Sequence, residues 1–323
     1  MACCCGKKER LEYTMELCEL SSRDFSMYVV KPFSGFDSCE FAKLNGGKVD
    51  QVKFFLFQDS KKRFGLVAGL KKNRLLMPFS ASFSCLSEIS SNNKIIHYHD
   101  AVRCLIEWAL KNDINEIDVS TPPLFYNESH ITKYHNALLC NHFRMVSYDV
   151  NQYFAIKRNS NYLDELNSNE RRNFKIAKKN GLSFIKTDDI KTVYDVIRIN
   201  RKERGYPLWM SAEDIMKTSK IIKSDFFLVN DKAGNPIASA YVQSITKNIV
   251  NIVYWGNIRE SDKLYPMNFM AYELFDFYSK KKGVEFVNIG ISTEDGIPNF
   301  GLFDFKESIG CVNSAKLNFK WHS

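Results

Sequence analysis

The chain carries one sequence pattern twice, and this repeat restricts its fold more than any other feature. FFLFQD at residues 54–59 resembles FFLVND at 226–231, and IDVST at 117–121 resembles IGIST at 289–293. Both pairs lie 172 residues apart. Because two matches at one spacing arise by chance much less often than one, we predict that the chain is a structural duplication.

The residues around the matched segments predict the same order of elements in both copies. Apolar runs separated by turn residues predict three antiparallel strands. A helix follows, which Pro266 begins and Gly283 ends in the second copy, with Lys280, Lys281 and Lys282 in its last turn. The predicted strands are 52–57, 64–70, 74–79 and 114–120 in the first copy and 225–231, 237–245, 249–255 and 284–291 in the second, with a short helix at 303–309 and a last strand at 314–321. This order predicts an α/β (α+β) protein in which a helix packs across a mixed sheet in each copy.

A polar stretch rich in Asn and Ser, at 158–169, is the predicted joint between the copies. We therefore divide the chain into an N-terminal unit at 1–158 and a C-terminal unit at 159–323. A length of 323 residues suits two domains of ~150 residues each. The net charge of +8 divides into +4 in each unit (21 − 17 and 24 − 20), so neither unit is a basic tail.

The order of elements in each copy resembles the fold of the Gcn5-related N-acyltransferases (GNAT). Together with the tandem arrangement, RRNFKIAKKNG at 171–181 and GLFDFKESIG at 301–310 resemble the FemAB-like branch of that fold. This branch contains paired acyltransferase-type domains and includes the aminoacyl transferases of peptidoglycan bridges. The resemblance covers most of residues 50–321.

The resemblance implies an N-acyltransferase that moves an acyl or aminoacyl group from an activated donor to an amine, without a covalent enzyme intermediate. The C-terminal unit is then catalytic and the N-terminal unit is not. No cofactor is bound permanently; acyl-CoA is one possible co-substrate and aminoacyl-tRNA the other. The expected acceptor is a small-molecule, sugar or peptide amine, by analogy a cell-envelope or surface-polysaccharide precursor. The alternative is a non-catalytic binding module that keeps a degenerate form of the fold.

The chemistry of acyl transfer gives an expectation for the third and fourth strands of the second copy. If the strands at 249–256 and 284–292 separate, their unpaired backbone N–H groups can donate to a donor carbonyl and stabilise the oxyanion. A nearby base or a water chain must take the proton of the attacking amine.

Three residues are candidates for catalysis. Lys306 lies in the segment that matches the Gly-Leu-x-x-Phe-Lys-x-x-x-Gly pattern of the family, where the resemblance implies that the lysine binds phosphate or the developing negative charge. Tyr254 is a candidate proton donor to the leaving group, and Glu203 is a candidate general base. The structural alternatives are a solvated lysine, a core tyrosine and a solvated helix end.

Eight assignments concern binding. The donor residues are Trp255, Gly256, Tyr265 and Asn268, and the substrate residues are Arg204, Trp209, Tyr241 and Ser292. The free N–H groups where the main helix begins suit a phosphate-bearing donor, and Arg204 suits a carboxylate or phosphate. Coenzyme A users of this fold carry a Gly-rich loop here, whereas 255–268 has only Gly256, so the donor stays open. The basic segment at 171–179 is either a solvated helix or a surface for tRNA or a nucleotide sugar.

Other patterns narrow the possibilities. No stretch reaches the ~18 continuous apolar residues of a membrane span and no signal peptide is evident, so we expect a cytoplasmic protein without a membrane span. Most cysteines stand singly and predict reduced thiols, while the run 3–5 is expected to be a plain terminus rather than a site of acylation or metal binding. His97 and His99 alternate as on a strand, and no metal site is predicted. No P-loop, G-x-G-x-x-G or G-x-S-x-G motif occurs, which argues against NTPases, dinucleotide oxidoreductases and serine hydrolases.

Overall fold

The computed structural model describes residues 15–158 and 162–323 as a mixed α/β structure. The strands are β1 (Glu16–Glu19), β2 (Gln51–Gln58), β3 (Lys62–Lys71), β4 (Arg74–Met77), β5 (Ser87–Glu88), β6 (Glu116–Ser120), β7 (Arg144–Ala155), β8 (Ser183–Thr187), β9 (Ser224–Asn230), β10 (Pro236–Ser244), β11 (Ile249–Asn257), β12 (Phe286–Ile291), β13 (Thr293–Glu294), β14 (Ile297–Pro298) and β15 (Val312–His322). The helices are α1 (Ser22–Tyr28), α2 (Cys39–Asn45), α3 (Ile95–Lys111), α4 (Glu128–Cys140), α5 (Tyr162–Glu165), α6 (Ser168–Lys179), α7 (Ile190–Arg204), α8 (Ala212–Ser219), α9 (Pro266–Ser279) and α10 (Phe300–Ser308).

The predicted duplication of the element order is confirmed. Apart from the two-residue strands β5, β13 and β14, the first copy runs β1-α1-α2-β2-β3-β4-α3-β6-α4-β7, and the second repeats this order as β8-α7-α8-β9-β10-β11-α9-β12-α10-β15. The spacing is kept beyond the matched motifs, since α4 begins at Glu128 and α10 begins 172 residues later, at Phe300. The repeat therefore describes whole units and not two short motifs.

Both copies contribute to one continuous sheet. Its order is β1-β2-β3-β4-β6-β15-β7-β12-β11-β10-β9-β8, with β5 paired to β3. Neighbouring strands are antiparallel except for two parallel pairs, β4 with β6 and β11 with β12. Each parallel pair joins the strand before the main helix of a copy to the strand that follows this helix, as a right-handed crossover allows.

The last strand of each copy lies against the other copy. β15 pairs with β6 of the first copy, and β7 pairs with β12 of the second. β7 and β15 also pair with each other along the middle of the sheet. Each copy therefore completes the sheet of the other, while the division of the chain at residue 158 stays a prediction.

The repeated Phe-Phe pair supplies both faces of the sheet. Alternate residues of a strand point to opposite faces. Phe55 packs in the core beneath α3 and α4, and Phe54 packs in a smaller cluster with α1 and α2. In the second copy, Phe227 packs beneath α9 and Phe226 packs beneath α7. The two apolar residues in sequence are needed because helices cover both faces of these strands.

Two local predictions are wrong. His97 and His99 lie in helix α3 and not on a strand, because the apolar residues around them, from Tyr98 to Leu105, recur at helical spacing. Helix α9 ends at Ser279, so residues 280–282 follow the helix instead of forming its last turn. Gly283, with a φ of +92°, ends the non-helical turn that residues 280–283 form.

Further findings concern the membrane and the cysteines. Within residues 15–158 and 162–323, no helix combines the length and apolar composition that crossing a bilayer requires. The cysteines of these ranges are free thiols at positions 18, 39, 85, 104, 140 and 311. The run at 3–5 lies outside the described residues.

The exchange of last strands predicts that a substitution in β15 destabilises the whole protein. Phe319 is buried in the core of the first copy, so Phe319→Ala should lower the free energy of unfolding by roughly 3–5 kcal/mol. Urea unfolding followed by fluorescence and circular dichroism should show one transition. Val312→Ala, at an exposed position of the same strand, is the control. A Phe319→Ala cost below about 1 kcal/mol, or two separate transitions, would contradict the exchange.

Candidate active site

β11 and β12 pair where they begin and then separate. Ile249–Asn251 pairs with residues 286–288, whereas β11 continues to Asn257 and β12 to Ile291. Beyond Asn251, the described strands pair with β11 only on its other side, where β10 lies. The predicted separation of these strands is confirmed, and we call the space between them the gap.

The backbone of Trp255 faces the gap. Hydrogen bonds alternate in direction along an antiparallel strand. Ile258, the residue after β11, donates from N to Ile237 O on β10 (2.9 Å), and the same register places the bonded positions of β11 at Gly256 and Tyr254. Trp255 lies between these two and therefore turns its N–H away from β10, toward the missing partner strand.

The gap opens into a cavity of about 1410 Å³ that both copies line. The second copy contributes the ends of β10, β11 and β12 and parts of α7 and α10, and the first contributes residues 36–48 and 78–83. Six of the predicted site residues line the cavity: Arg204, Trp209, Tyr254, Trp255, Gly256 and Lys306. The structure thus brings together side chains from distant parts of the sequence.

Lys306 is the most deeply buried lysine of this cavity among the described residues. Its side chain is on α10, is 2% exposed, and donates from Nζ to Gly290 O (2.9 Å) and Ile291 O (2.8 Å). Gly290 has a φ of +84°, a backbone conformation that glycine adopts readily. Desolvation lowers the pKa of the Lys306 ammonium to about 7, with Cys311 acting in the opposite direction. Lys306 is therefore not a solvated surface lysine.

Tyr254 lies on the wall of the cavity and is mostly buried. Burial raises the pKa of its hydroxyl, while the backbone of Trp209 and of Met210 acts in the opposite direction. The guanidinium of Arg201 lies over its ring, 5.2 Å from the centroid.

Two arginines of α7 line the cavity. The sequence analysis predicted Arg204 as a substrate residue, whereas the structure makes Arg201 the stronger candidate. Arg204 is bound by Asp262, whose carboxylate oxygens lie 2.8 and 3.0 Å from its Nη2. Arg201 lies between the rings of Tyr254 and Tyr206, and its Nε is buried without a hydrogen-bond partner in the described part of the chain. The available signal was the buried face of α7, which runs through Asn200 and borders Arg201.

Five predicted residues do not line the cavity: Glu203, Tyr241, Tyr265, Asn268 and Ser292. Glu203 accepts from Arg259 N (2.7 Å) and so ties α7 to the 3-10 helix Arg259–Leu264. Tyr241 is fully buried and stacks on Phe226, with ring centroids 5.1 Å apart. The roles assigned to these residues stay predictions.

The other three residues of this set take part in local contacts. Tyr265 precedes α9 with a φ of +57°, and Asn268 donates to the carboxylate of Glu170 on α6. Ser292 Oγ donates to Gln152 Oε1 at 2.5 Å. The Asn268 contact joins two helices of the second copy, and the Ser292 contact joins the second copy to β7 of the first.

Gly256 makes room for a neighbouring helix. A Cβ at this position would lie 2.3 Å from Cγ and Oδ1 of Asn200. Asn200 Nδ2 donates to Asn257 O (2.8 Å), so α7 is held directly against β11. This packing explains the glycine, and its donor-binding role stays a prediction.

The backbone N–H groups between β11 and α9 are largely used within the protein. Arg259 N donates to Glu203, Ser261 N to Ile258 O and Tyr265 N to Asp262 O. α9 then begins with Pro266, which has no N–H. These three N–H groups are therefore not available to a pyrophosphate.

The cavity has an excess of cationic side chains. Among residues 15–158 and 162–323, those lining it are Lys48, Arg201, Arg204, Lys217, Lys306 and Lys316, against the single acid Asp214. Burial lowers the pKa of Lys316 as well, and its Nζ donates to Ser120 Oγ (2.9 Å). Sequence reasoning missed Lys48 and Lys316, since each lies in an ordinary-looking segment far from the motifs. This electrostatic field suits ligands with anionic groups.

Solved structures with the same architecture include known acyltransferase folds. The chain matches a crystal structure of FemX with a TM-score of 0.69 and 12% identity, over 95% of this chain and 97% of that one. It matches the C-terminal domain of a putative lysylphosphatidylglycerol synthetase from Agrobacterium fabrum with a TM-score of 0.60 and 10% identity, over 94% and 93%. A tandem GNAT protein of the clavulanic acid biosynthesis pathway matches with a TM-score of 0.55 and 8% identity, over 95% and 98%.

These likenesses establish the fold. The chain has the tandem, FemAB-like form of the GNAT acyltransferase fold. No protein-family model matches the sequence, and a search of curated proteins finds no significant match.

The burial of Lys306 predicts a pH dependence of stability. Because its pKa is lowered from 10.5 to about 7, the folded protein binds fewer protons than the unfolded protein between these values. The contribution of Lys306 to stability should therefore rise with pH above about 7, by up to about 1.4 kcal/mol per pH unit. The unfolding free energy of the wild type, minus that of Lys306→Met, should increase from pH about 7 to about 9. Lys179→Met, at an exposed position, is the control; a constant difference for Lys306→Met would show that the ammonium is not buried.

Proposed function

We propose that this protein transfers an acyl or aminoacyl group from an activated donor to an amine, in the cavity between its two copies. The observation that carries the proposal is the separation of β11 from β12, which leaves Trp255 N–H facing the gap beside a cavity that Lys306 lines. Attack of an amine on an activated carbonyl forms an oxyanion, and fixed donors at that position lower the barrier. The donor carbonyl is placed in the gap with its oxygen toward Trp255 N–H.

Lys306 is proposed to stabilise the negative charge of the transition state. Two carbonyl oxygens fix its Nζ, so the ammonium does not have to reorganise as charge develops. Low local polarity strengthens its electrostatic effect on a nearby oxyanion. Since the protonated form is the active one, the rate should fall as pH rises above about 7.

Tyr254 is proposed to protonate the leaving group. Burial raises the pKa of its hydroxyl, so it keeps its proton at neutral pH. Arg201, packed on the ring of Tyr254, is proposed to bind an anionic group of donor or acceptor. The proton of the attacking amine passes to a water chain or a base that the proposal leaves unassigned.

The donors we propose are acyl-CoA and aminoacyl-tRNA. The segment before α9 favours the second, because the N–H groups of Arg259, Ser261 and Tyr265 are already bonded within the protein. The match to a lysylphosphatidylglycerol synthetase supports aminoacyl transfer, and with FemX it supports an envelope precursor as the acceptor. The proposed place of action is the cytoplasm.

The test is turnover with purified protein, acyl-CoAs and charged tRNAs, and a panel of amine acceptors. We expect consumption of one donor that depends on the amine. Lys306→Met should lower the rate by at least about 100-fold. Lys179→Met, on the exposed face of α6, should keep the rate of the wild type. Donor binding without turnover would instead indicate a binding module, and an unchanged rate in Lys306→Met would remove the lysine from the mechanism.

A further inference from the structure

Four carboxamide side chains on neighbouring strands form a row along the cavity, at the point where β11 and β12 separate. They are Gln243 on β10, Asn251 on β11, Asn288 on β12 and Asn151 on β7, and all four line the cavity. Gln243 is opposite Asn251 in the register of β10 and β11, and Asn251 is opposite Asn288 in that of β11 and β12. Asn251 and Asn288 are the last residues that pair across the gap.

Asn288 is the fixed member of this row. Its Nδ2 donates to Asn251 Oδ1 (2.8 Å) and to the hydroxyl of Tyr126 (3.1 Å). Its Oδ1 accepts from Asn151 Nδ2 (2.8 Å) and from Gly290 N (3.1 Å). Both N–H donors and both acceptor sites of the Asn288 amide are therefore used. The amide links strands β7, β11 and β12.

Two atoms of the row are left over. Gln243 is 2% exposed; its Nε2 donates to the hydroxyl of Tyr241 (2.7 Å), and its Oε1 accepts no hydrogen bond from residues 15–158 or 162–323. Asn251 Nδ2 likewise donates to no atom of these ranges, since only its Oδ1 is used. Neither Gln243 Oε1 nor Asn251 Nδ2 is among the side-chain atoms that are both fully enclosed and without a partner. Both are therefore accessible, and the space that their residues line is the cavity.

The leftover atoms define the ligand chemistry. One is an acceptor and the other a donor, they lie on paired residues of adjacent strands, and neither residue is bound to a charged group. A buried polar group in a native protein almost always has a partner. A ligand that satisfies both must offer a hydrogen-bond donor and an acceptor, and two uncharged carboxamides favour an uncharged ligand group. A secondary amide has these properties.

We propose that Gln243 and Asn251 form a subsite for a secondary amide of the substrate. The amide N–H donates to Gln243 Oε1, and the amide oxygen accepts from Asn251 Nδ2. The inference deepens the proposed function, because it names a group of the ligand that the same cavity takes. The amide can belong to a peptide, an N-acylated sugar or a pantetheine arm, and the subsite distinguishes each of them from a ligand with hydroxyl groups alone.

Binding of three small amides tests the subsite without any need for turnover. The probes are N-acetylglycine N-methylamide, N-acetyl-D-glucosamine and pantetheine, at up to about 50 mM as suits ligands of this size, with D-glucose as the probe that lacks an amide. Saturation-transfer difference NMR reports binding and gives a dissociation constant by titration. The probe with the strongest binding identifies the source of the amide.

The variants are Asn251→Leu and Asn251→Asp, with Asn313→Leu as the control at an exposed position outside the cavity. Asn251→Asp keeps an oxygen for Asn288 while it replaces the donor by a charged acceptor, so it guards against a folding defect in Asn251→Leu. We expect at least one amide to bind the wild type and to bind each Asn251 variant about tenfold more weakly. The control should bind it as the wild type does.

Several results would overturn the subsite: no binding of any amide, equal binding of D-glucose, or unchanged binding in both folded Asn251 variants. These results are distinct from failure of the proposed function. Amide binding that depends on Asn251, in a protein that consumes no donor, keeps the subsite and rejects the transferase. If the protein consumes a donor and its affinity for the amide is the same in the Asn251 variants, the transferase proposal stands and the subsite is rejected.

Discussion

The architecture depends on the exchange of last strands between the two copies. β12 can leave β11 because its other edge is already paired, from Phe286 to Ile291, with β7 of the first copy. Without β7, both edges of β12 would lose their partners beyond Asn288, and unpaired strand edges in a protein interior are costly. The gap that offers Trp255 N–H to a ligand is therefore a consequence of the duplication, and a single copy of the unit would lack the strand that supports it.

The same exchange of strands places a buried charge at the cavity. α10 follows the β13–β14 hairpin and precedes β15, and the Nζ of its Lys306 is bonded to the carbonyl oxygens of Gly290 and Ile291 on β12. A lysine so enclosed loses most of its hydration, and two backbone carbonyls replace only part of it. The lowered pKa of Lys306 records this cost. Buried groups with shifted pKa values are typical of sites that react or bind, and here the group lines a cavity with five other cations.

The sequence was informative where a structure depends on local pattern and repetition. The repeat predicted the order of elements, and the Phe-Phe pairs at 54–55 and 226–227 follow from helices on both faces of the sheet. The separation of β11 and β12 and the position of Lys306 came from the family resemblance. The exchange of β7 and β15 was missed, because strand partners far apart in the chain leave no local signal. Arg201 and Asn288 were missed for the same reason: the contacts that distinguish them join segments 53 and 137 residues apart, as between Arg201 and Tyr254 and between Asn151 and Asn288.

Amide hydrogen exchange at two neighbouring residues of β11 tests whether this strand is unpaired on the side of the gap. Gly256 N–H is paired with β10, whereas Trp255 N–H faces the gap. If the edge is unpaired, residue-resolved NMR of the free protein should show strong protection of the Gly256 amide and much faster exchange of the Trp255 amide. Equal and strong protection of both amides would show that β11 is paired on its two edges, and the proposed oxyanion site would then not exist.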